Sequence, residues 1–244
     1  MYDAIEAVRA DRASLLEICD QLTAEQWQAA SGCAGWRIQD VVTHMSNLFW
    51  LVVEPQKLPD ISGLPTEAAQ EALVQARREL EPAEVLADYE EVSKVAVDRL
   101  ADLAKLDLEL ELGDLGSYQA NVLPTAYAFD HYTHIRADMF GPRGPLTGPP
   151  PSDELRIGSA LDWVEAALAQ QNPAVAADIA LELQITGTGA RVISFGTGGA
   201  MATVCSDGPT LVRWVTQRGS WEELGVQASG DQRAISAARQ LKVF

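Results

Sequence analysis

Disulfide chemistry, membrane spans and excess basic charge are all missing from this chain of 244 residues. Its three cysteines, Cys19, Cys33 and Cys205, are odd in number and far apart. That set suits a reducing cytoplasm better than a disulfide framework. The longest strongly apolar run, Leu48 to Val53, falls far short of the roughly 18 residues that a membrane helix needs. The opening MYDAIEAVRADR is acidic and amphipathic, so no secretory leader is expected and a cytoplasmic location is. Lys and Arg number 18 against 35 Asp and Glu, a net charge of −17. A chain so acidic is not expected to bind nucleic acid or an anionic membrane. Low-complexity segments and internal repeats are absent too, and 47% apolar with 22% charged residues is an ordinary globular composition.

What is present divides into two textures. Residues 3–23 carry Ile5, Val8, Leu15, Leu16, Ile18 and Leu22 at helical spacing, which predicts a first amphipathic helix. A second runs from Trp36 to about Glu54, and further helices are expected over 66–80, 83–106, 118–139 and 153–170. Between 141 and 151, eight of eleven residues are Gly or Pro, which neither helix nor strand survives. A domain boundary is placed there, giving domains 1–150 and 151–244. Beyond it Ile179, Leu181, Leu183 and Ile185 alternate with Ala180, Glu182 and Gln184, and RVISFG and AMATVCS follow between glycine turns. These are the strands of a small sheet. Asp207 and Pro209 mark the start of a helix, and residues 232–244 form a terminal one. The fold class is α+β, a helix bundle followed by a small α/β domain.

Histidine is as scarce as cysteine, and all three copies, His44, His131 and His134, fall on helices of the first domain. In FDHYTHIRAD, Asp130 and His134 are four apart, on one helix face and within reach of one ion. His44, on a facing helix, can point at the same place. Two imidazoles and a carboxylate leave coordination positions open, as a catalytic metal requires. His131 can replace Asp130 in that set by spacing alone. A plainer reading keeps His44 as a hydrogen-bonded core residue and the 130–138 stretch as a solvated face with local ion pairs. Trp36, Asp40 and His44 recur every four residues, so Asp40 either orients His44 or sits near the helix start for the macrodipole. Cys33 reads as a small apolar filler in preference to a nucleophile.

The run SGCAGWRIQDVVTHMS, with Cys33, Gly35, Trp36, Asp40 and His44, resembles the motif near the start of mycothiol-dependent maleylpyruvate isomerase-like proteins. The family's second motif is an acidic residue four before a histidine, and Asp130 and His134 stand there, with Asp where the isomerase has Glu. The resemblance implies a DinB-like metal-binding four-helix bundle followed by a small domain similar to sterol carrier proteins. It implies a divalent metal, zinc above all, on His44, Asp130 and His134, and mycothiol as thiol cosubstrate. It also places an arginine of the second domain near the metal, with Arg218 chosen and Arg213 the alternative, to meet a small anionic substrate. The implied reaction is cis-trans isomerisation through thiolate addition to an activated double bond. Mycothiol S-transfer, metal-dependent hydrolysis and non-catalytic binding of a small ligand are the other readings.

Overall fold

The computed structural model describes residues 2–244. The helices are α1 (Ala4–Gln21), α2 (Ala24–Gln28), α3 (Ile38–Val53), α4 (Thr66–Gln75), α5 (Pro82–Leu103), α6 (Leu123–Thr133), α7 (Glu154–Gln171), α8 (Pro173–Asp178), α9 (Gly208–Val215), α10 (Trp221–Leu224) and α11 (Gln232–Ala238). The strands are β1 (Glu109–Glu111), β2 (Ser117–Gln119), β3 (Leu181–Thr186), β4 (Arg191–Phe195), β5 (Ala202–Asp207) and β6 (Gln227–Gly230). Among the described residues no helix is long and apolar enough to cross a membrane.

Four helices, α1, α3, α5 and α6, pack as a bundle in the first domain. On α3 the residues Ile38, Val41, Val42, Met45 and Phe49 are fully buried, each a large apolar side chain worth about 1.5–3 kcal/mol of burial. Asp3 caps α1 through the Glu6 amide at 3.1 Å, satisfying one of the free donors of its first turn. The helix expected over 118–139 is divided. Residues 117–119 form β2, which pairs antiparallel with β1 in register Leu110↔Tyr118. α6 then gives way at His134–Met139 to a π-helical turn, whose wider i→i+5 bonding is a frequent mark of functional segments.

In the second domain the sheet order is β4-β3-β5-β6, with β3 and β5 parallel and the other pairs antiparallel. Leu181, Leu183 and Ile185 turn inward, as the alternation requires, and join Ile193, Phe195 and Val204 in one core with α7 and α9. Asp207 caps α9 through the Thr210 amide at 2.8 Å. The terminal helix stops at Ala238, and Val243 is tied by its amide to the Val215 carbonyl instead. Tyr118, Phe129 and Tyr132 of the first domain also belong to this second core, and α7 packs against α1 and α6. The two domains therefore meet along an extensive apolar seam.

Candidate metal centre

His44 lies buried in the middle of α3, its ring centroid 5.2 Å from that of Trp36 and 4.8 Å from that of His134. Asp130 and His134 come from the end of α6 and the start of the π turn. The three meet: His44 Nε2 is 3.0 Å from Asp130 Oδ1, and His134 Nε2 is 3.4 Å from the same oxygen. Ligand atoms on a tetrahedral ion with bonds of about 2.1 Å lie about 3.4 Å apart, so these separations fit one small cation. One atom able to ligate an ion from each of the three residues falls within 4.8 Å of the other two. Asp130 Oδ2 is buried with no hydrogen-bond partner among the described residues, a second carboxylate oxygen available to an ion.

The electrostatics agree. Burial alone would favour the neutral acid at Asp130, yet the two adjacent imidazoles hold its carboxyl well below the usual range. Burial likewise opposes charge on His134, but Asp130, Cys33 and Asp138 around it raise it well above the ordinary histidine value. A carboxylate flanked by two imidazoles is a place where positive charge is stable, whether carried by protons or by a metal ion.

His134 has a further partner in Asp138. Its Nδ1 donates to Asp138 Oδ2 at 2.9 Å, and Asp138 is completely buried. A carboxylate only accepts, so this bond places the proton on Nδ1 and turns Nε2 toward Asp130. Asp138 is held in turn by Arg218, whose Nε lies 2.9 Å from both carboxylate oxygens and whose Nη2 is 2.6 Å from Oδ2. Burial favours the neutral acid at Asp138, but His134 and Arg218 together push it far below the usual carboxylate range. The signal for Asp138 was present in the sequence: Asp130, His134 and Asp138 repeat at the same spacing of four. Gly32 makes room for this contact, since a Cβ there would lie 2.8 Å from Asp138 Oδ1 and 2.9 Å from its Cα.

Cys33, His134 and Asp138 form a second compact group, with Cys33 Sγ 3.6 Å from His134 Nδ1. Arg218 Nη2 stands 3.8 Å from that sulfur and already neutralises Asp138, so a cation would meet a guanidinium there. The group with His44 and Asp130 faces no such charge. Arg218 thus reaches the centre from the second domain, through Asp138. Arg213 instead turns to the Arg218 carbonyl at 3.5 Å.

His131 stands apart from the three. Its Nδ1 donates to the Tyr127 carbonyl at 3.0 Å and its Nε2 lies 3.1 Å from the Tyr89 hydroxyl, so both nitrogens are committed within the bundle. Burial depresses its basicity and keeps the ring neutral. The stretch 130–138 is not a solvated face: His131 and Asp138 are fully buried, and Arg136 donates to the buried Asp11 at 3.1 and 2.7 Å. Asp40 does not orient His44 either. It accepts from Arg37 and from Arg78 Nη2 at 3.2 Å, while His44 Nδ1 is without a partner among the described residues. Trp36 does join the site, its ring centroid 5.2 Å from that of His44 and 6.4 Å from that of His134, with Nε1 donating to Glu71 at 2.6 Å.

His44, Asp130 and His134 open onto a cavity of about 930 Å³ between the domains, bordered by α3, α4, the β1-β2 hairpin and the chain's last residues. Residues 8–138 match the family described as the mycothiol maleylpyruvate isomerase N-terminal domain. A comparison with curated proteins finds no match. Among solved structures, the fold is similar to that of the mycothiol-dependent maleylpyruvate isomerase and to that of its mutant with one histidine changed to alanine. Each has a TM-score of 0.61 and 14% identity, over 94% of this chain and 93% of the other.

Proposed function

The chain belongs to the mycothiol maleylpyruvate isomerase N-terminal domain family, and from that premise we propose that it is a divalent-metal- and thiol-dependent isomerase. The observation that carries this reading is the convergence of His44 Nε2, Asp130 Oδ1 and His134 Nε2 beside a cavity large enough for a thiol and a second substrate. This donor set of two nitrogens and one oxygen suits zinc and leaves a coordination position open. When bound, such an ion supplies a Lewis acid that ionises a thiol near neutral pH.

Each residue around it has its own task. His44, Asp130 and His134 hold the ion. Asp138 keeps the proton of His134 on Nδ1, so that Nε2 is the ligand, and Arg218 fixes Asp138 from the second domain. On this geometry Arg218 is a positioning residue, because its Nε and Nη2 donors are spent on Asp138. Trp36 covers the two imidazoles, and the apolar walls of the cavity exclude water from the reacting sulfur. The thiol cosubstrate is mycothiol, on the family's precedent. Its sulfur adds to one carbon of an activated cis double bond, the remaining single bond rotates, and the sulfur leaves to give the trans product and the thiol unchanged.

The test is the rate of cis-trans conversion of maleylpyruvate and of a neutral cis diester, with the zinc-loaded protein and mycothiol. Conversion should need both, and should stop on chelation and return with zinc. Conversion that survives chelation or proceeds without thiol would contradict the proposal, and no conversion of either compound would remove the isomerase and leave S-transfer, hydrolysis or non-catalytic binding.

A further inference from the structure

Two arginines on the border of the cavity, Arg143 and Arg218, stand around one buried carboxylate, Asp138. Arg218 is spent on it: Nε and Nη2 reach Asp138 Oδ2 at 2.9 and 2.6 Å, and Nη1 donates to the Thr216 carbonyl at 3.2 Å. His134 donates to the same carboxylate at 2.9 Å. Arg143 stays outside this set, its Nε 4.0 Å from Asp138 Oδ1. One negative charge therefore faces two guanidiniums, and the charge of Arg143 is left over.

The hydrogen bonds of Arg143 are unspent as well. Its Nη2 donates to the Gly32 carbonyl at 2.5 Å, and this is its one hydrogen bond among the described residues. A guanidinium carries five donors, so Nε and Nη1 remain available, on a side chain that is 38% exposed. The Glu223 carboxylate, which the charge of Arg143 also reaches, is held by the Ser220 amide and hydroxyl at 2.8 and 2.9 Å. The other acids on the border, Glu67, Glu71, Glu111 and Asp114, come from α4 and the β1-β2 hairpin. An anionic group entering the cavity is repelled by those elements and drawn to Arg143.

The backbone fixes Arg143 in this place. The Gly141 and Leu146 amides donate to the Leu146 and Met139 carbonyls at 2.9 and 3.0 Å, closing a tight loop around it. Gly144 lies directly on the end of the π turn, where a Cβ would collide with the Asp138 and Met139 carbonyls. Gly32, which receives Arg143, is tied by its own amide to the Asp138 carbonyl at 2.7 Å. A guanidinium fork presented from so constrained a loop loses little freedom when it closes on a carboxylate.

We propose that Arg143 binds a carboxylate of the acceptor and so sets a preference for anionic over neutral molecules at this centre. The family resemblance assigned that task to Arg218 or Arg213 of the second domain, but Arg218 is committed to Asp138 and Arg213 does not line the cavity. The inference rests on the proposed function for the cavity as the place of the acceptor, and on none of its thiol chemistry.

Maleate and dimethyl maleate share one cis double bond and differ in charge. Their binding to the zinc-loaded protein, without any thiol, is measured by calorimetry, and their conversion with mycothiol is measured separately. The natural protein should bind maleate about tenfold or more tighter than the diester, and Arg143→Gln should abolish most of that preference, as loss of a hydrogen bond to a charged group does. Zinc content and diester binding should be unchanged in the variant. Arg143→Lys keeps the charge without the planar fork and should lose several-fold in maleate binding. Arg213→Gln should keep the full preference. No preference for maleate in the natural protein, or an unchanged preference in Arg143→Gln, overturns the proposal; where that variant does not fold, an unchanged preference in Arg143→Lys does so. Maleate held through Arg143 but not converted leaves the anion site standing and removes the isomerase.

Discussion

Arg218 reaches across the domain seam and closes Nε and Nη2 on the buried carboxylate of Asp138, at 2.9 and 2.6 Å from Oδ2. Through Asp138 the second domain sets the orientation of His134, a proposed metal ligand of the first. Asp138→Asn removes the charge that fixes the imidazole and should weaken zinc binding about 10- to 100-fold. Competition with a chromophoric chelator measures it, and unchanged affinity would separate Asp138 from the centre. Arg218→Ala leaves the buried Asp138 with His134 as its one close ionic partner and should cost about 3 kcal/mol in denaturant unfolding. Arg218→Lys should recover little of it, lacking the planar fork.

The histidines divide by their partners. His44→Ala, Asp130→Ala and His134→Ala should each lose most bound metal while far-UV helicity stays nearly unchanged. His131→Ala should keep full metal stoichiometry and instead lose about 2 kcal/mol or more of stability, since it strands the Tyr89 hydroxyl inside the bundle. Elemental analysis and thermal unfolding of the four variants distinguish the two roles. Metal lost from His131→Ala and kept by Asp130→Ala would reverse the assignment.

Trp36 lies against both imidazoles of the proposed ligand set and should report on the ion directly. Zinc titration should change tryptophan emission in the natural protein. The change should largely disappear in Trp36→Phe, although that variant still binds the ion. An equal change in the variant would place the reporting indole elsewhere.

Asp40 supplies a pH test away from the metal. Burial opposes its ionisation, but Arg37 and Arg78 hold its carboxyl below its ordinary value of 3.8. A depressed folded-state pKa means that the unfolded chain binds the proton more readily, so the stabilisation is complete above pH 3.8 and fades below it. The Tm advantage of the natural protein over Asp40→Asn should be constant near neutrality and shrink as pH falls below about 4. An advantage that grows on acidification would contradict the ion-pair assignment.

The fold was legible where one pattern dominated. The stripe of Val41, Val42, Met45 and Phe49 specified α3, and the alternation through Leu181, Leu183 and Ile185 specified β3 and its buried face. Residues 117–122 misled because β2 is three residues long and leads directly into α6, so its period of two is lost beside the helical run. At the site, the scarcity of histidine and the four-residue step from Asp130 to His134 brought these side chains forward, but spacing left His131 as an alternative to Asp130, and the choice between them came from the family resemblance. The role of Asp138 was masked: the same step of four continues from His134 to it, but a carboxylate near two arginines in sequence reads as a surface pair until burial is known. Nor was Asp40 legible, since Arg37 is three residues before it but Arg78 comes from beyond α4. The commitment of Arg218 to Asp138 depends on packing between two domains, which no local pattern records.

Metal content, measured by elemental analysis on protein purified without an affinity tag or chelator, tests the central claim most directly, with His134→Ala in parallel. About one divalent ion per chain, absent from the variant, is the expected result. No ion in the natural protein after reconstitution with zinc, or equal occupancy in the variant, would contradict it.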